Sequence, residues 1–91
     1  MKYRSRTDIT AIILQAAMTG NTKTRIMYKA YLSSAIITQY VKFLQENELI
    51  KYEKLTKQYK TTAKGIEFLH SYEKIFELLS DNNATNKTVM I

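Results

Sequence analysis

Small polar and basic side chains, rather than nucleophiles or paired acids, are the residues through which this chain can act. Ser34, Thr38, Gln39 and Lys42 share one face if the segment carrying them is helical. Lys54, Lys57 and Lys60 follow at even spacing. His70 is the single histidine, and a lone imidazole completes neither a triad nor a metal site. Cysteine is absent, which removes disulfides and thiolate zinc sites. The glutamates are scattered without the pairing that acid–base chemistry requires, and no glycine-rich phosphate loop is present. The expectation is a protein that is not an enzyme, has no cofactor or metal, and works by holding a partner.

Charge indicates which partner. The formal net charge is +6 and is unevenly placed. Lys2, Arg4 and Arg6 open the chain. Lys23, Arg25, Lys29 and Lys42 follow with no acid among them, and Lys51, Lys54, Lys57, Lys60 and Lys64 face Glu53 alone. After Gly65 the sign reverses, with Glu67, Glu73, Glu77 and Asp81 against Lys74 and Lys87. A basic front followed by an acidic end fits a polyanion-binding surface, with nucleic acid ahead of an acidic protein or a membrane surface. The chain has 91 residues, enough for one domain whose core alone gives marginal stability, and this favours a homodimer. No run approaches the roughly 18 apolar residues of a membrane span. The charged start does not resemble a secretion signal. A cytoplasmic, nucleoid-associated protein with no membrane contact is expected.

The elements that would position these residues can be read from periodicity. Proline is absent and glycine occurs only at positions 20 and 65, which favours helices with short connections. Thr7 is the expected cap of a first helix, with Asp8 in its first turn, running through Met18 to stop at Gly20. Ile9, Ile12, Ile13, Ala16 and Ala17 make its apolar face. Leu14 and Met18 form a second stripe, which either lies between two other helices or touches a partner chain. A second helix covers Lys23 to Ala30. Leu32 dips into the core, and Ser33 caps a third helix ending near Asn47, with Ile37, Val41 and Leu44 as its buried stripe. The pattern then alternates from Ile50 through Tyr52 to Tyr59 and Thr61 around a polar turn near Thr56, predicting a β-hairpin. Thr62 caps a fourth helix from Ala63 to about Leu79, in which Gly65 marks close backbone approach. Leu69, Tyr72, Phe76 and Leu79 repeat along it, widened by Phe68 and Ile75. This face is broad enough both to cover the domain and to pair with a second copy. The expected divisions are a basic arm at 1–7, a domain at 8–79 with a dimerisation helix at 63–79, and a disordered tail at 80–91.

Helix, helix, turn, helix, hairpin, helix is the order of a winged helix-turn-helix: α+β, mainly α, with a three-helix core, a β-hairpin wing and a C-terminal helix. The segments TRIMYKAYLSS, QYVKFLQENELI and YKTTAKGIEFL resemble the small archaeal winged-helix DNA-binding proteins, including the 10a-type chromatin-associated proteins. The likeness covers about Asp8 to Leu79. It implies DNA binding without catalysis, and dimerisation through the C-terminal helix. Two departures are visible: the last helix is short for an extended coiled coil, and Glu48 stands where related versions carry glycine.

The residues support the same division of work. Ser33, Ser34, Thr38, Gln39 and Lys42 would face the major groove of double-stranded DNA, with Ser33 at a helix start suited to phosphate. Lys54, Lys57 and Lys60 on the wing, and Arg25 and Lys29 on the second helix, would meet the backbone. Arg4 and Arg6 on the arm would lie along a phosphate strand or enter a minor groove, the alternative being a frayed terminus that only aids solubility. Leu14, Met18, Leu69, Tyr72, Phe76 and Leu79 form the expected dimer interface. The reading face has no arginine, the commonest partner of guanine, so weak sequence discrimination with a lean to A/T is expected. Tyr28, Tyr31, Tyr40, Tyr52 and Tyr59 could stack on exposed bases, as single-strand binders require, but most fall at positions that serve the core or its rim. The competing readings are an ordinary solvated polar face, or a winged helix serving protein–protein contacts.

Overall fold

The computed structural model describes residues 5–89. Its first helix, α1 (Arg6–Ala16), starts earlier than expected because Ser5, not Thr7, is the cap. The Ser5 hydroxyl accepts from the Asp8 amide at 3.0 Å, and Asp8 Oδ2 accepts from the Ser5 amide at 3.1 Å. This reciprocal capping box satisfies two amide donors, which a single Thr7 cap would not. The helix ends at Ala16, short of Met18, and Gly20 takes a φ of 92° beyond it.

α2 (Lys23–Ala30) and α3 (Ser34–Glu46) begin on Thr22 and Ser33, whose hydroxyls accept from the amides of Arg25 and Ile36, each at 3.2 Å. Ile37, Val41 and Leu44 turn inward and meet Ile13, Leu14, Ile26 and Ala30 in the core. The core settles the two readings of the Leu14 stripe. Leu14 is 0% exposed and Leu69 4% exposed, so both pack inside their own chain and neither can serve a dimer surface. Met18 is half-buried against the same core. α1 is the central helix, contacting α2, α4 and the wing, which leaves no outward face for Leu14.

The wing consists of β1 (Ile50–Glu53) and β2 (Gln58–Thr61), antiparallel, with Ile50 opposite Thr61 and Tyr52 opposite Tyr59. Only Ile50 of β1 is buried. The turn spans residues 54–57, slightly earlier than expected, and closes through Lys57 at a φ of 56°. Asn21 forms an isolated bridge on the other side of Tyr59, with backbone bonds of 2.9 and 2.7 Å. The Asn21 side-chain amide donates to the Ala16 carbonyl at 2.7 Å, ending α1.

α4 (Ala63–Val89) continues past the expected stop at Leu79. The stretch SDNNATNKTV holds neither glycine nor proline, the two strong stop signals. Its backbone is helical where a disordered tail was expected, and residues 90–91 lie outside the described region. At the start of α4, Thr62 Oγ1 accepts from the Gly65 amide at 3.0 Å and donates to the Glu48 carbonyl at 2.7 Å.

Gly65 has no room for a side chain. A Cβ there would collide with the Leu49 carbonyl oxygen and lie 2.5 Å from Thr61 Cγ2. The carbonyl is backbone and cannot swing aside. Gly65→Ala is therefore expected to destabilise the fold by about 2–3 kcal/mol, read from the urea unfolding midpoint.

Candidate nucleic-acid interface

The outward face of α3 collects the residues expected there. Ser34, Thr38, Gln39 and Lys42 are all exposed, on the side away from Ile37, Val41 and Leu44. Ser33 sits at the helix start, its hydroxyl occupied by the cap. Thr38 Oγ1 accepts from Lys23 Nζ at 3.2 Å, which leaves its hydroxyl hydrogen and its methyl available. This contact also sets the start of α2 beside the middle of α3. No acid occurs between Asp8 and Glu46. The acids Glu46 and Glu48 gather at the C-terminal end of α3, where the helix dipole is already negative. The N-terminal half is thus the end suited to a polyanion.

The wing brings four lysines together where sequence spacing indicates three. Lys54 and Lys57 occupy the turn and Lys60 lies on β2, all exposed. The register places Lys51 directly opposite Lys60. Two like charges facing each other across a strand pair repel. Alternation along a strand does not reveal Lys51, because it shows which side a residue takes but not its partner on the other strand. Leu55, at the tip between Lys54 and Lys57, is almost wholly exposed.

Among the remaining basic residues, Arg25 and Lys29 stand one turn apart on the exposed side of α2. Arg6 is not on an arm. It is the first residue of α1, and its guanidinium lies 5.8 Å from the Phe43 ring centroid on α3, a cation–π distance. Arg4 lies outside the described residues. Glu48 takes a φ of 61° after α3, a position that glycine would fill without strain. Tyr40 and Tyr59 are half-buried as expected, and burial pushes the Tyr59 phenol up, helped by nearby Tyr52. Tyr28 and Tyr31, however, are 70% and 87% exposed and belong to no core.

α4 carries exposed apolar residues. Ile75, Phe76, Leu78 and Leu79 on α4 are each more than half exposed. Beside them a groove of about 280 Å³ runs between α4 and the start of α1, past Phe68, Tyr72 and Asp8. Tyr72, half-buried, donates its phenolic hydrogen to Asp8 Oδ1 at 2.5 Å and pins α4 to α1. That hydrogen bond, with burial and the carboxylate charge, raises the phenol above its ordinary range. Among the described residues no cluster of His, Cys, Asp or Glu could hold a metal ion, and no helix is long and apolar enough to cross a membrane.

A family model described as winged helix-turn-helix matches residues 3–80. Among solved structures, Sso10a-2, a DNA-binding protein from Sulfolobus solfataricus, superposes with a TM-score of 0.75 at 21% identity. The match covers 96% of this chain and 94% of that one. Wild-type ZitR of Lactococcus lactis, also solved in complex with DNA, gives a TM-score of 0.63 at 24% identity. The ZitR matches cover 96% of this chain but only 63% and 64% of theirs. At these identities the likeness is one of fold. No curated protein matches the chain.

The Tyr72–Asp8 contact has a pH signature. The folded state holds the phenolic proton more tightly than the unfolded chain does. The extra stability is therefore complete below about pH 10, the ordinary tyrosine value, and is lost as pH rises through the higher folded value. Tyr72→Phe is expected to lower neutral stability by about 1 kcal/mol. It should also flatten the fall in urea midpoint above about pH 10.

Proposed function

We propose that this chain, which belongs to the winged helix-turn-helix family, binds double-stranded DNA as a homodimer, as a transcriptional regulator or a chromatin-associated protein of the cytoplasm. The observation that carries the reading is the exposed polar and basic face of α3, free of acid from Ser34 to Gln45, beside a wing bearing Lys51, Lys54, Lys57 and Lys60. Its likeness in fold to Sso10a-2, a DNA-binding protein, and to ZitR, solved in complex with DNA, supports it.

In this reading α3 enters the major groove by its N-terminal half. Ser34, Thr38, Gln39 and Lys42 lie along the bases, and Ser33 sits beside a phosphate. Gln39 can pair with adenine, and the free methyl of Thr38 can touch a thymine methyl. With no arginine on this face, discrimination is weak and leans to A/T. Phosphate contacts from the wing, Arg25 and Lys29 dominate affinity, and Arg4 and Arg6 add backbone or minor-groove contacts. The dimer forms through the outer part of α4. Phe76 and Leu79 belong to its apolar surface, Tyr72 to its rim and Met18 at most to its edge.

Titrating random and operator-like duplexes at several salt concentrations tests the DNA reading. Lys57→Ala combined with Lys60→Ala should weaken both duplexes alike and reduce the salt slope by about 0.9 for each phosphate no longer neutralised. An unchanged slope removes the wing from the interface. Negligible binding by the unaltered protein in moderate salt would place the chain among winged helices that contact other proteins. For the dimer, Phe76→Lys with Leu79→Lys should shift the sedimenting species to a monomer, and the unfolding midpoint should fall and cease to depend on protein concentration.

A further inference from the structure

Tyr31 ends α2 in a left-handed conformation, φ 56° and ψ 47°. In that region the Cβ of an L-residue crowds the following carbonyl, and glycine is the residue that adopts it freely. A bulky aromatic there ordinarily reflects packing that outweighs the strain. Here there is none: Tyr31 is 87% exposed. Backbone bonds end the helix, from the Tyr31 amide to the Tyr28 carbonyl at 3.2 Å and from the Leu32 amide to the Met27 carbonyl at 3.0 Å. Either bond would survive with glycine at this position. Among the described residues the Tyr31 phenol has no hydrogen-bond partner and its ring no stacking partner. The strain has no return inside the chain, and strained residues of this kind cluster at binding sites.

The surroundings identify the partner. Tyr31 stands two residues before the Ser33 cap of α3. Exposed Tyr28 lies one turn back on α2, and Arg25 and Lys29 lie on the same helix. No acid occurs between Asp8 and Glu46. A neutral hydroxyl on a rigid ring, at the edge of a basic, acid-free surface, matches a phosphodiester oxygen in chemistry.

We infer that Tyr31 is a further DNA contact: its phenolic O–H donates to a backbone phosphate oxygen beside the start of α3, while the ring lies along the adjoining deoxyribose. The inference rests on the DNA-binding reading above and adds to it a contact without charge. A phosphate bound by a neutral donor releases no counterion, so this contact strengthens binding without steepening its salt dependence.

Duplex affinity over a series of salt concentrations, with thermal unfolding alongside, tests it for the full chain, Tyr31→Gly and Tyr31→Phe. Tyr31→Gly should unfold at the same temperature or up to about 4 °C higher, yet bind duplex DNA about tenfold more weakly, with the wild-type salt slope. Tyr31→Phe should lose most of the same affinity. If the wild type binds and both variants match it, the contact does not exist and the general reading stands. Weaker binding by Tyr31→Gly together with a lowered unfolding temperature would make Tyr31 a structural residue and overturn the inference. So would a loss confined to single-stranded oligonucleotides. If the wild type itself binds no duplex, the DNA reading falls and takes this contact with it.

Discussion

The geometry of the molecule depends on one close approach, between the backbone at Leu49 and the first turn of α4 at Gly65. Three bonds surround it. The Thr62 amide donates to the Leu49 carbonyl at 3.1 Å, the Thr62 hydroxyl to the Glu48 carbonyl at 2.7 Å, and Lys64 Nζ to the Asn47 carbonyl at 2.9 Å. Together they take up the carbonyls of Asn47, Glu48 and Leu49, in the turn that follows α3. The same few residues thus end α3, start β1 and launch α4. The helix that would carry base contacts and the helix that would carry the partner copy are therefore fixed to each other through backbone contact, with little freedom to tilt independently.

A second tie holds the wing to the central helix. Thr61 Oγ1 donates to the Leu14 carbonyl at 2.6 Å, and the Thr61 amide to the Ala17 carbonyl at 3.0 Å. Asn21 bonds to Tyr59 on the other side. An isolated two-stranded hairpin is marginal in water, and this one is held at its base by the end of α1. Only the turn and the outer residues extend beyond that support. The wing is consequently rigid where it meets the core, at the level of Lys51 and Lys60, and freest at the turn that carries Lys54 and Lys57.

Most of this architecture is legible in the sequence because its signals are local and periodic. The Ile37, Val41 and Leu44 stripe, the Ser33 cap and the alternation from Ile50 to Thr61 each lie within a few residues of sequence. What escapes depends on distant pairing. Nothing near Asn21 announces a strand partner at Tyr59, and spacing alone cannot show that Lys51 faces Lys60. Leu14 is ambiguous because a two-sided apolar helix can be central or dimeric, and only the placement of α4 and the wing across it decides. Ser5 is hidden for a different reason: Thr7 lies nearer the apolar run, although S-R-T-D carries the polar–x–x–acid spacing of a capping box. The exposure of Tyr28 and Tyr31 is equally hard to foresee, since a tyrosine suits the rim of a core and an open surface alike.

The opposed pair Lys51 and Lys60 gives ionic strength two opposite effects on the same hairpin. Mobile ions screen their repulsion and so firm the free wing, while the same ions compete with any polyanion that would settle between them. The hairpin is thus best screened in the medium where a polyanion would be held most loosely. In dilute salt the phosphates of the proposed partner would take the place of those mobile ions.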